Sequence, residues 1–226
     1  LPSEYHNNIA FVCGPTGKLV GRFVMHRDGA GFRAQQSPNN LFASADAWSS
    51  PVCCEVGPDG AVWICDWYNL IIQHNPTPSR GSAGVDAKTG RGNAYETPLR
   101  DRQHGRIYRV YPSSSRNDEV PKLDPEDAAG LVQGLSHSNL LWRTHAQRLL
   151  VELGDDTVAE ALEGLVALGG DPAPHALQVL SQLSLTSTEV LVQALASADE
   201  ATRRSAILLA TPDDLKRAYV HEGSIK

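Results

Sequence analysis

Apolar and polar positions along this chain keep two different rhythms. From Ile9 to Tyr111 apolar residues come in short runs broken by turn formers. Ile9 to Cys13 is apolar, Gly14-Pro15-Thr16-Gly17 supplies a turn, and Leu19 to His26 continues as a second strand ending at Asp28-Gly29. Further runs surround Phe32 and Leu41-Phe42-Ala43. Val52 to Val56 and Ala61 to Asp66 flank Gly57-Pro58-Asp59-Gly60, and Gly105 to Tyr111 forms a last strand. In that turn Pro fixes φ, Asp bonds its own backbone and Gly accepts positive φ, so Asp59 is expected to be structural. Short antiparallel strands with such corners predict an all-β partial β-propeller of about two blades, although a sandwich uses similar pieces.

From Asp124 onward the rhythm becomes helical and repeats every thirty residues. Leu135, Leu165 and Leu195 keep this spacing, as do Ala146, Ala176 and Ala206, and Leu150, Leu180 and Ala210. Within one unit Leu131, Val132 and Leu135 share a helical face, and Ala146, Leu149 and Leu150 share the next. Each unit is therefore expected to be a helical pair, with small Ala allowing close approach and Leu filling between layers. The prediction is an all-α HEAT-like solenoid. Asp124-Pro125 is expected to open its first helix, with Asp124 as N-cap and Pro125 at N1. The tail from Leu215 to Lys226 loses the period and is expected to fray or to lead into a further repeat.

Composition supports a mixed fold of two domains. Residues 1–112 form the β part, 113–123 a linker and 124–226 the helical part; Pro and Gly crowd towards the first half, Ala and Leu towards the second. A formal charge of -6, without clustered Lys and Arg, gives no reason to expect nucleic acid. No apolar run approaches the roughly 18 residues a membrane helix needs. The chain begins at Leu1 in a strand-bearing segment and reads as a piece of a longer protein.

Candidate chemistry lies mainly in the first half. Cys13, Cys53, Cys54 and Cys65 form no CxxC or CxxCH arrangement, which argues against a zinc ribbon or covalent haem. A hairpin turning at Pro58-Asp59-Gly60 opposes Cys53 to Cys65; a cross-strand disulfide and four inert thiols are the two readings. Asp66-Trp67-Tyr68-Asn69 gathers a carboxylate, a phenol and an amide where a strand ends, and loops at strand ends carry function. Asn75 to His104 is a long run with little periodicity, the length of a functional lid or a disordered segment. It closes on Arg100-Asp101-Arg102-Gln103-His104-Gly105-Arg106, a patch that suits an anionic cofactor or a solvated loop. In the helical half His145 and His175 share one repeat position but lie in different layers, so they are expected to line a groove and no metal site is expected. Trp142 is expected to anchor a core or interface.

The stretch Gly57-Pro58-Asp59-Gly60-Ala61-Val62-Trp63-Ile64-Cys65-Asp66-Trp67-Tyr68-Asn69, then Ile71-Ile72-Gln73-His74, then Asp101 to Val110, resembles the last blade of the glucose/sorbosone dehydrogenase-like domain. It is most similar to the branch in large secreted planctomycete-type proteins, the PVC-type membrane-bound dehydrogenase or haem-binding family. Leu1 to Tyr5, Lys18-Leu19-Val20 and Asp46-Ala47-Trp48-Ser49-Ser50-Pro51 fit the same branch. The resemblance covers about residues 1 to 112. It departs at Ser49-Ser50, where relatives tend to show an aromatic followed by Arg; a missing Arg weakens an anion contact there.

The resemblance implies oxidation of a sugar or other alcohol with pyrroloquinoline quinone and calcium in the complete protein. It also implies a haem c or cytochrome c domain outside this chain, and a periplasmic or secreted location. On that reading Asp66, Tyr68, Asn69, Asp101, Arg102 and Arg106 are the cofactor-side candidates, with Arg102 and Arg106 donating to quinone carboxylates. His74 and His104 are candidate bases for the hydroxyl proton. The alternative is a non-catalytic scaffold in which the propeller edge and the solenoid groove hold a protein or glycan.

Overall fold

A Pro-Asp-Gly corner sets the geometry of the β part. Gly60 N donates to Gly57 O at 3.0 Å and Gly57 N to Ala61 O at 2.8 Å, with Gly60 at φ 76°. A tight turn followed by a left-handed Gly matches the right-handed twist of the flanking strands, which is why Gly is needed there. The computed structural model describes residues 1–6, 8–28, 31–70, 88–89, 95–96, 101–113 and 120–222. It divides the chain into two units, Leu1–Glu119 and Val120–Lys226.

In the first unit β1 (Ile9–Gly14), β2 (Leu19–Asp28) and β3 (Gly31–Gln36) form an antiparallel meander, and β4 (Phe42–Ala43) pairs with the start of β2. A second antiparallel sheet runs β5 (Pro51–Val56), β6 (Val62–Asp66) and β9 (Arg106–Val110). The two-residue strands β7 (Lys88–Thr89) and β8 (Tyr95–Glu96) pair as a ribbon inside the run that lacked periodicity. Along β6 Val62, Ile64 and Asp66 are buried while Trp63 and Cys65 are exposed, the alternation of a strand with one covered face. Val62, Ile64 and Val20 are the centre of the core, with Phe11, Leu41, Phe42, Val56, Tyr108 and Val110 around them. The rings of Phe42 and Tyr108 meet at 4.8 Å between centroids.

The second unit holds seven helices among the described residues: α1 (Ala128–Gly134), α2 (Leu140–Leu153), α3 (Ala159–Leu168), α4 (Pro172–Gln182), α5 (Thr188–Ala196), α6 (Glu200–Leu209) and α7 (Pro212–Glu222). Helices α1–α2, α3–α4 and α5–α6 pair, while α2, α4 and α6 pack in succession and α3, α5 and α7 do the same. The thirty-residue pattern is the buried pattern. Ala146, Ala176 and Ala206 are all fully buried, and Leu135 and Leu195 lie in the same core, with the half-buried Leu165 packed against it. Helix entry repeats too. Asn139 caps α2 and Asp199 caps α6, each accepting a backbone N–H. Arg143 Nη1 donates to the His137 carbonyl at 2.8 Å, and Arg203 Nη1, sixty positions on, donates to the Ser197 carbonyl at 2.6 Å.

One expectation for this half is corrected, and one is narrowed to the second of its two alternatives. Asp124 accepts from Glu126 N and belongs to a turn; Asp127 is the N-cap of α1 and accepts from Gly130 N. A second Asp three residues on stands beside the first helical apolar face, so the helix starts there. Of the two readings of the tail, fraying from Leu215 does not hold as far as Glu222, because α7 runs to that residue and packs on α5 as a further helix of the series. Thr211 and Asp214 bond reciprocally at its start, and Leu215 and Ala218 pack on the core three residues apart.

Candidate functional site

Asp66, the buried end of β6, organises the first unit. Its side chain is fully covered, and its oxygens accept from Ser50 N at 2.6 Å, Ser49 Oγ at 3.2 Å, Tyr68 N at 3.0 Å and Arg106 Nε at 3.0 Å. Burial pushes its pKa up, but the Ser50 and Tyr68 amides and the Arg106 guanidinium outweigh it and hold the carboxyl below the usual range. Arg106 Nη1 also donates to Asp46 Oδ2 at 2.7 Å. Partial burial works against its charge, and Asp46 and Asp66 together raise its pKa nonetheless. The cluster therefore carries two carboxylates on one guanidinium.

Aromatic rings cover this ion cluster. Tyr68 sits at φ 56°, a left-handed backbone that side chains seldom adopt. That turn lays its ring under Arg106, 4.4 Å from the guanidinium, and stacked on Trp48 at 5.6 Å. Strained backbone of this kind concentrates at sites that bind. Beside it Asp101 accepts from the amides of Gln103 at 2.7 Å and His104 at 2.8 Å, and from His104 Nδ1 at 2.7 Å. Those amides, and then the imidazole, hold the Asp101 carboxyl below its usual range. With Nδ1 donating to Asp101, Nε2 of a neutral His104 ring is an acceptor. The imidazole is largely exposed and meets Tyr68 edge-on at 6.0 Å. Trp48, Tyr68, Asp101, His104, Gly105 and Arg106 line an open pocket of about 590 Å³.

The structure thus brings together Tyr68, Asp101, His104 and Arg106 at one pocket, with Asp66 beneath. Asn69 is buried and donates Nδ2 to the Asp101 carbonyl at 2.9 Å, so it positions the loop. Arg102 is exposed on the same loop. His74 lies outside the described residues. Asp59 is structural as expected: it accepts from Ala61 N and Trp63 Nε1 and pairs with Arg109. Trp48, which lines the pocket, and Asp46, which holds Arg106 there, were given no role by sequence reasoning. The local signal was Asp46-Ala47-Trp48, an Asx turn in which Trp48 N donates to Asp46 Oδ1 at 2.9 Å. Ser49 and Ser50 stand where an anion-binding Arg was missed, and they serve Asp66.

These bonds do not fit the quinone roles assigned to Asp66, Asn69 and Arg106. Asp66 and Asn69 are covered, and the Arg106 charge is already matched by two carboxylates, which leaves it little to offer an anionic ring. Among the described residues no three His, Cys, Asp or Glu side chains are grouped so as to hold a metal ion. No described helix is long and apolar enough to cross a membrane. In the second unit Trp142 is buried and meets His145 edge-on at 5.9 Å, while His175 Nδ1 donates to Gln147 Oε1 at 2.7 Å. Burial, and then Arg143, lowers the His175 pKa.

A β unit with an aromatic, ion-clasped pocket, followed in sequence by paired helices, is the class that these features define. The chain belongs to the family described as Domain of unknown function (DUF7133), whose model matches residues 1–114, just over half of its 226 residues. No curated protein and no solved structure matches it.

Proposed function

We propose that the first unit is the closing part of a β-propeller that binds a sugar or other polyol at the Trp48–Tyr68–His104 pocket. The second unit is a HEAT-like solenoid for a protein partner. The parent on this reading is a secreted or periplasmic sugar or alcohol dehydrogenase-like protein, the class that Gly57 to Asn69 and Asp101 to Val110 resemble. One observation carries the reading. An imidazole oriented by a carboxylate and a stacked Trp–Tyr pair line the same pocket. Flat rings suit the C–H face of a sugar, and an acceptor nitrogen suits its hydroxyls. Helices stacking odd on odd and even on even support the solenoid.

A second reading is oxidation of that bound alcohol in the complete protein. It rests on the His104–Asp101 pair, in which Nε2 is placed to accept a hydroxyl proton while the carboxylate stabilises the imidazolium. Isothermal titration of the chain with aldoses and alditols tests the binding. Saturable binding lost in Trp48→Ala and His104→Ala supports it, and no binding by a folded chain overturns it. For oxidation, the full-length parent is supplied with quinone, calcium and an electron-accepting dye. Dye reduction that disappears in His104→Ala supports the second reading, and its persistence at the parent's rate removes His104 from it.

A further inference from the structure

The four cysteines divide into two pairs of opposite character. Cys13 and Cys54 are half-buried neighbours, and the Cys54 thiol donates to the Phe11 carbonyl at 3.6 Å. Burial, and then its own hydrogen bond to Cys13, pushes the Cys54 thiol up to about 12, which keeps it protonated and unreactive. Cys53 and Cys65 are both exposed, and they are directly opposed partners in the β5–β6 register.

Hairpin phase fixes how close that second pair comes. Gly57 N donates to Ala61 O, so Gly57 and Ala61 are a hydrogen-bonded pair. Antiparallel pairs alternate in type, and four register steps along β5 and β6, an even number, bring the same type to Cys53 and Cys65. Such pairs hold their Cα atoms about 5.5 Å apart, inside the span a disulfide bridges. The register shifts between Pro51 and Cys53, which makes Val52 the additional residue of a bulge. That bulge leaves Val52 and Cys53 exposed in succession, and keeps Cys53 facing out beside Cys65 while Pro51 and Asp66 are both buried.

We propose that Cys53 and Cys65 form a dithiol site that closes to a cross-strand disulfide by exchange with a disulfide oxidant. The thiolate of one cysteine attacks the oxidant's S–S bond and releases a thiol. The second thiolate then attacks the mixed disulfide and releases another. Two protein thiols are oxidised and one external disulfide is reduced to two thiols, so atoms and electrons balance. The link closes the hairpin one residue before Asp66 and locks the register that brings Ser50 N onto that carboxylate. It is thus a staple beside the pocket, whatever ligand the pocket takes.

The test incubates the full chain under native conditions with oxidised glutathione, then denatures and alkylates it. Wild type should lose two of its four alkylatable thiols and about 2 Da in intact mass. Proteolysis after Glu55 separates Cys53 from Cys65, so a link between those peptides reports the bond. Cys54→Ser should retain the link, whereas Cys65→Ser should carry a glutathione adduct on Cys53. Four alkylatable thiols after incubation, or a link that vanishes in Cys54→Ser, overturns the proposal. Mapping of the wild type needs no variant to fold.

Discussion

Arg106 reaches across the β6–β9 pair to Asp66, its register partner, with Nε 3.0 Å and Nη2 2.8 Å from the same carboxylate oxygen. A buried carboxylate bonded by one guanidinium, two amides and a hydroxyl cannot lose its charge cheaply, because each donor is then left facing a weaker acceptor. Asp66→Asn should destabilise the first unit by about 3 kcal/mol. Urea unfolding followed by tryptophan fluorescence measures this. A Trp142→Phe background confines the signal to Trp48, Trp63 and Trp67 of that unit.

The same bonding gives the first unit an acid limit. Burial raises the pKa values of Asp66 and Asp59, but hydrogen bonds and their arginine partners bring both below the ordinary carboxylate value. A depressed native pKa contributes stability that is complete above the unfolded value of about 4 and is lost as pH falls through the lower native values. Denaturation midpoints of this unit should therefore fall below about pH 4. Asp66→Asn should flatten that decline, and a decline of unchanged steepness would show that other groups set it.

Repeat position decides the sign of a Gly→Ala change in the helices. Gly134 and Gly164 are thirty residues apart, and Ala194 is next in the series. A Cβ on Gly134 would stand 2.9 Å from the Ala146 Cβ, whereas one on Gly164 meets nothing within 4 Å. Gly134→Ala should cost about 1 to 3 kcal/mol through overpacking. Gly164→Ala should gain up to about 1 kcal/mol from helix propensity. Thermal melts followed by circular dichroism at the helix band separate the two signs.

The helical half was legible because its information is periodic. Every thirtieth residue meets the same neighbours, so Ala146, Ala176 and Ala206 advertise a close approach that the structure shows as full burial. The Cys53–Cys65 register was legible for a similar reason, since one tight turn fixes all pairings of a hairpin until a bulge intervenes. The start of α1 was misplaced because two Asp residues three apart, Asp124 and Asp127, both look like caps, and only packing of Leu131 chooses between them. The pocket was half legible. His104, Asp101, Tyr68 and Arg106 stand out as polar residues near strand ends, but Arg106 meets Asp46 across sixty residues of sequence. No local pattern announces such a pairing, and none announced that it would use up the charge expected to face a ligand.

Pocket binding is tested most directly by titrating the nitrogen-15-labelled chain with an alditol and following the His104 side-chain nitrogens and the Trp48 indole. Polyol binding at the pocket predicts saturable shifts at His104 Nε2 and the Trp48 indole with one common dissociation constant, while the buried Trp142 indole stays still. Unmoved His104 and Trp48 signals in a folded chain, at alditol concentrations that shift other residues or none, would contradict it.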